Sequence, residues 1–119
     1  ASLELFDRND VLDHVAASEQ LIRERLDVLR DPDQFPHVVD VRQRGVMVGI
    51  ALGAKRDGQA VLDYDQPLGR RVCQELLERG VWMRPLGNVL IINPAPAMDH
   101  QTLGRMLDQT VEVLSELAI

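Results

Sequence analysis

The stretch Gly80-Val81-Trp82-Met83-Arg84-Pro85-Leu86-Gly87-Asn88-Val89-Leu90-Ile91-Ile92-Asn93 reads as strand, tight turn, strand. Val81 to Met83 is a short apolar run. Pro85-Leu86-Gly87-Asn88 carries turn chemistry, because proline fixes φ and glycine or asparagine can take a positive φ. Val89 to Ile92 is an apolar, mostly β-branched run, the pattern of a strand covered on both faces. Pro94 and Pro96 then end the ladder, since neither has an N–H to donate. Arg84 stands where the first strand meets the turn. A guanidinium held there by a packed sheet is suited to a carboxylate or a phosphate.

Outward from this hairpin, the flanks are helical. Leu68, Val72, Cys73, Leu76 and Leu77 form an apolar stripe, with Pro67 suited to the first turn, Asp65 or Gln66 near the cap, and Gly80 as the C-terminal stop. Asp99 caps a last helix whose core face is Leu103, Met106, Leu107, Val111, Leu114 and Leu117, with Arg105, Asp108, Glu112 and Glu116 toward solvent. Near the start, residues 1–8 read as the end of one helix. Asn9 or Asp10 caps another, with Val11, Leu12, Val15, Leu21, Ile22, Leu26 and Leu29 on one face, and Asp31-Pro32 ends it. Residues 38–52 are β-rich and interrupted by Gly45, which predicts one bent strand or two short ones. Gly45 and Gly49 are the candidates for a bulge or a close backbone approach. Residues 53–66 read as a loop. The order is helix, strand pair, helix, strand pair, helix: an α/β (α+β) domain with a small, mainly antiparallel sheet covered by helices.

The chain has 119 residues, so one domain spanning 1–119 is expected, long enough to bury a core without metal or disulfides. A net charge of −6 argues against a nucleic-acid or anionic-membrane partner. No apolar run approaches the roughly 20 residues of a membrane span, and no secretory leader is evident, so a cytoplasmic location is expected. Cys73 is the single cysteine, which removes any intrachain disulfide, and its place on an apolar stripe reads as a small buried hydrophobe. The chain starts Ala1-Ser2-Leu3-Glu4-Leu5-Phe6 in a helical pattern without a leading Met or an entry cap, and reads as part of something longer.

Self-sufficient chemistry is hard to find. His14, His37 and His100 are scattered without acidic partners at ligand spacing, so no metal site is expected. No phosphate loop follows Gly45 or Gly49. Arg70-Arg71 reads as a helix surface or an interface. Lys55 is the sole lysine beside twelve arginines, so any lysine-dependent step must use it or a lysine elsewhere.

The whole chain resembles the small C-terminal domain of class III, pyridoxal-phosphate-dependent aminotransferases, a part of the fold-type I transferases. Val41-Arg42-Gln43-Arg44-Gly45-Val46-Met47-Val48-Gly49-Ile50 is similar to the family's Val-Arg-Gly-x-Gly-Leu-Met-x-(Gly/Ala)-Ile stretch. Arg71 to Val81 is similar to its helix leading into Leu-Glu-x-Gly-Val. Arg84-Pro85-Leu86-Gly87-Asn88-Val89 is most like the branch acting in biotin synthesis, whose Arg-Pro-x-Gly arginine contacts the substrate carboxylate; that role falls on Arg84. Three departures stand out: Gln43 for a glycine, Ala51 for a common acidic residue, and Asn93-Pro94-Ala95-Pro96 for a Met-Pro-Pro-aromatic or Pro-Pro-Leu pattern beside the substrate pocket.

The resemblance implies that pyridoxal 5′-phosphate and its lysine belong to a large domain upstream, in a homodimer that moves an amino group by a ping-pong mechanism between small carboxylate and amine substrates. This chain would then hold no catalytic, cofactor-binding or metal-binding residue, would supply Arg84 and a pocket wall, and alone would neither bind cofactor nor transaminate. The alternatives are omega-amino acid, diamine or acetylornithine-type members of the class, or a free-standing small-molecule-binding regulatory domain.

Overall fold

In a computed structural model of the chain, residues 11–56, 59–62, 67–95 and 98–117 are described. The expected helix end over 1–8, the Asn9 or Asp10 cap and the Asp65 or Gln66 cap lie outside them. Helix α1 runs Val11–Leu26 and tightens into a 3₁₀ turn over Asp27–Arg30. Ile22, Leu26 and Leu29 are buried and Val15 and Leu21 half-buried, but Leu12 is 69% exposed, so the apolar face frays at its start. The side chain of Val11 is outside the description.

Strands β1 (Val38–Arg44) and β2 (Met47–Arg56) form an antiparallel hairpin around Gly45, whose φ of 59° suits glycine. Residues 38–52 are thus two strands. The bulge lies elsewhere: the register shifts between Val38 and Asp40. Gly49 is no close-approach site, since a Cβ there would meet Val89 at an ordinary 3.5 Å.

Residues 53–66 correct the reading of the sequence. Strand β2 continues to Arg56 and pairs with β3, Gln59–Leu62, from Gly53↔Leu62 to Arg56↔Gln59. Two residues, Asp57-Gly58, connect them, and Asp-Gly between strand-like runs is a strong hairpin signal that the surrounding charges obscure.

Helix α2 spans Leu68–Glu78, after Pro67 rather than including it. It ends in a Schellman motif: Gly80 N–H donates to Leu77 O (3.0 Å), Val81 N–H donates to Leu76 O (2.8 Å), and Gly80 has a φ of 82°. Val81 and Leu76 are both buried, the apolar contact that accompanies this cap. Leu77, expected on the buried stripe, is 58% exposed; Gly69 is buried in the first turn instead.

The hairpin of Gly80–Asn93 exists, with its first strand shifted. Val81 to Met83 is irregular; β4 is Arg84–Leu86 and β5 is Val89–Ile92, leaving Gly87-Asn88 as a two-residue turn. Pro85 fits inside β4 because β4 is an edge strand, where a missing N–H costs no ladder bond. The β5 run is not covered equally on both faces. Leu90 and Ile92 are buried, whereas Val89 and Ile91 are half-buried.

The sheet order is β1-β2-β5-β4, with β3 on the far half of β2 and every pair antiparallel. Helix α3, His100–Ser115, carries the Asp99 cap as expected, with Thr102 N–H donating to its carboxylate at 2.8 Å. Both α1 and α2 pack on α3. Leu103, Leu107 and Leu114 meet Ile50, Leu52, Leu90, Leu68 and Leu76 in one core on one face of the sheet. Met106, Val111 and Leu117 are half-buried at its rim. Among the described residues the opposite sheet face carries no helix. Its cross-strand rows, read from the register, are Leu86–Val89–Ala51–Asp40 and Arg84–Ile91–Gly49–Arg42.

Candidate functional site

Arg84 opens β4, opposite Ile91, and its backbone is held by the β4–β5 ladder. Arg84 lines a cleft of about 450 Å³ together with Trp82, Met83, Ile91, Ile92, Asn93, Pro94, Ala95, Met98 and Met106. Most of that lining is apolar. Trp82, one of the lining residues, is 78% exposed.

Arg84 is exposed, and no hydrogen bond or ion pair engages it among the described residues. Most exposed arginines of the domain differ. Arg25 pairs with Asp108 at 2.6 Å, Arg42 with Asp40 at 2.6 Å, and Arg23 with Glu19 at 3.0 Å. Arg79 joins Glu75, Glu112 and Glu116 and bridges α2 to α3, and hydrogen bonding to Glu112 pushes its pKa further up. Arg44, Arg70 and Arg105 share Arg84's state, but of these four Arg84 is the one beside this apolar cleft. A planar fork next to an apolar slot is complementary to a ligand with a carboxylate on a hydrocarbon stem.

The remaining sequence candidates fall into place around it. Cys73 is buried, and desolvation pushes its thiol pKa up, which keeps the sulfur protonated and unreactive. Arg70 and Arg71 lie exposed on α2. The histidines are less scattered than the chain order suggests. His14 and His100 stack with ring centroids 4.1 Å apart and planes 8° from parallel. His14 donates from Nε2 to Met98 O at 2.6 Å, and His100 Nε2 lies 3.1 Å from Ser18 Oγ. These contacts join α1 to the entry of α3, and no group of three metal-ligating side chains occurs among the described residues. His37 Nδ1 lies 3.2 Å from Gly53 O.

Lys55 belongs to a strand, not a loop. It pairs with Ala60 in the β2–β3 hairpin. Gly49, on the row of Arg84, is six positions back along β2, about 20 Å at the rise of a β-strand. The sole lysine is therefore remote from the Arg84 cleft. The acidic residues near the cleft are also few: the lining contains none. Among the described residues, those lining the cleft include neither the lysine nor the acid that a pyridoxal phosphate site requires, so this cleft does not by itself fit that cofactor.

Two residues carry more than their sequence context indicated. Gln43, where a glycine was the expected pattern, donates from Nε2 to Glu19 O (2.9 Å) and Gly45 O (3.0 Å), tying β1 to α1. Asn88, read as a turn residue, is 6% exposed and accepts from Gly69 N–H at 3.1 Å. Nothing in local patterning announces the contacts to Glu19 and Gly69, which lie 24 and 19 residues away.

Comparison with known proteins places this geometry. The family model for class III aminotransferases matches residues 1–114. The adenosylmethionine-8-amino-7-oxononanoate aminotransferase of Methanocaldococcus jannaschii is 34% identical over 116 residues, 98% of this chain and 24% of the relative. Its crystal structure superposes with a TM-score of 0.81 over 98% of this chain and 26% of that one, at 32% identity. The enzyme of the same name from Geobacter sulfurreducens is 34% identical over 108 residues, 91% of this chain and 23% of the relative. The omega transaminase of Pseudomonas jessenii in complex with PMP shares the fold at a TM-score of 0.80 and 22% identity, over 96% of this chain and 24% of that one. The chain spans about a quarter of the length of the curated relatives it matches. With the family model covering nearly all of it and the fold in agreement, the chain belongs to the class III aminotransferases.

Proposed function

We propose that residues 1–119 form the small C-terminal domain of a pyridoxal-phosphate-dependent aminotransferase that acts on 8-amino-7-oxononanoate in biotin synthesis. A large domain supplies the lysine and the phosphate cradle, and the intact enzyme is a cytoplasmic homodimer. When bound there, the cofactor supplies the electron sink for amino-group transfer.

This chain's own residues bind and orient. The Arg84 guanidinium takes the acceptor carboxylate through two N–H donors, and Trp82, Ile91 and Met98 flank the polymethylene chain between that carboxylate and the reacting ketone. Burial of such a stem stabilises the complex by about 0.8 kcal/mol per methylene. The carboxylate fixes which end of the molecule points away from the chemistry. The observation that carries this reading is Arg84 itself: an arginine without a protein partner among the described residues, lining an apolar cleft, in a chain whose relatives are named for a long-chain amino-oxo acid.

The test compares two acceptors in the full-length enzyme: 8-amino-7-oxononanoate and its analogue with the carboxylate replaced by a methyl group. A charged hydrogen bond of about 1.5–3 kcal/mol corresponds to about 10- to 100-fold in kcat/KM. Arg84→Ala is expected to cost that much for the acid and far less for the analogue, with the cofactor spectrum unchanged. An equal loss for both acceptors, or no loss, removes Arg84 from the site.

A further inference from the structure

The part of the sheet that carries Arg84 is lightly secured. Strand β4 is three residues long and, among the described residues, lies at the edge and pairs with β5 alone; it contains Pro85. Its ladder is therefore too short to fix Arg84 by itself. A second anchor sits at the turn. Asn88 is nearly buried, and its carbonyl accepts from Leu52 N–H at 2.8 Å, extending the β2–β5 ladder by one bond. Its side-chain Oδ1 accepts from Gly69 N–H at 3.1 Å.

That N–H is one of the orphan donors at the start of α2, where Pro67 offers no side-chain cap. The cap thus comes from the hairpin, a residue 19 positions along the chain. Gly69 makes the approach possible. A Cβ there would stand 2.4 Å from Gly87 O, 3.2 Å from Asn88 Cα and 3.3 Å from Pro85 Cβ. The last of these belongs to the residue directly after Arg84.

We infer that Asn88, seated against Gly69, is a positioning residue for Arg84: by capping α2 from the turn it fixes β4 against the helix and so sets where the guanidinium meets the substrate carboxylate. The inference rests on the proposed role of Arg84. Asn88 itself acts through Arg84 and touches no substrate.

The experiment uses the full-length holoenzyme and the two acceptors already named, the acid and its methyl-ended analogue. Asn88→Ala is expected to raise KM and lower kcat/KM about three- to tenfold for the acid, the scale of one lost hydrogen bond. Turnover of the methyl-ended analogue and the cofactor absorbance stay within error. Asn88→Asp, which keeps an acceptor oxygen at the helix N-terminus, restores most of the loss. In an Arg84→Ala background, Asn88→Ala has no further effect on the acid, because residues acting as a unit are not additive. If Asn88→Ala does not fold, Asn88→Ser, whose hydroxyl falls short of Gly69, is read in the same way.

An equal loss for both acceptors, no loss for either, or full additivity with Arg84→Ala overturns the inference. Should Arg84→Ala show its selective loss while Asn88→Ala does not, the positioning role fails and the role of Arg84 stands. Should Arg84→Ala show no selective loss, the role of Arg84 fails first and this inference fails with it.

Discussion

Local chemistry singles Arg84 out in the sequence: an apolar run before, turn residues after, and no neighbouring acid. What distinguishes it from the other described arginines without a partner, Arg44, Arg70 and Arg105, is three-dimensional, namely the cleft of Trp82, Ile91 and Met98. Charge alone does not define its task. Lysine at this position keeps a cation but presents a point charge on a flexible stem instead of a planar fork. Arg84→Lys in the full-length enzyme is therefore expected to regain less than half, in free energy, of what Arg84→Ala loses toward the acid. Steady-state kinetics with the same acceptor check this, and full recovery would mean that the fork is irrelevant. His14 and His100 show the opposite limit of sequence reading. They stack face to face, yet the chain separates them so widely that no spacing rule connects them.

At the scale of elements, the helices were readable from apolar periodicity and caps, and the strands less so. Helix α3 begins where Asp99 indicated, and α2 ends at Gly80 as expected. The misses share a cause: short strands carry little signal, so turn residues decide their bounds. Pro85 suggested the turn itself, although an edge strand accepts proline. Asp57-Gly58 marked a hairpin within charged residues that read as a loop. The Asp99 cap permits a prediction. The backbone N–H and hydroxyl of Thr102 both donate to this carboxylate and hold its pKa below the usual carboxylate range. A group with a depressed folded pKa adds stability above its unfolded pKa, near 4, and loses it as pH falls through the folded value. Asp99→Ala is thus expected to lower the melting temperature at pH 7, with the gap to wild type shrinking below about pH 4. Melting curves across that range check it, and a gap independent of pH would contradict the cap's ionic character.

At the scale of the whole molecule, the described residues form a sheet with helices on one face and a bare, partly apolar face opposite. On or beside that face, Trp82, Leu86 and Met47 are 78%, 71% and 52% exposed. Such a surface favours self-association when it has no partner domain. Sedimentation of the 119-residue chain is expected to show concentration-dependent association, reduced by Leu86→Ser with Met47→Ser; a strict monomer at high concentration would contradict it. The same division of labour governs the chemistry. Under the proposed function, Arg84 and its cleft recognise substrate, and the cofactor's lysine belongs to another domain. The most direct measurement is cofactor retention: mix pyridoxal phosphate with the 119-residue chain and with the full-length enzyme, dialyse, and record the absorbance of the bound cofactor. The expected result is a stoichiometric band in the full-length enzyme and none in the short chain. A stoichiometric band retained by the short chain and abolished by Lys55→Ala would contradict it.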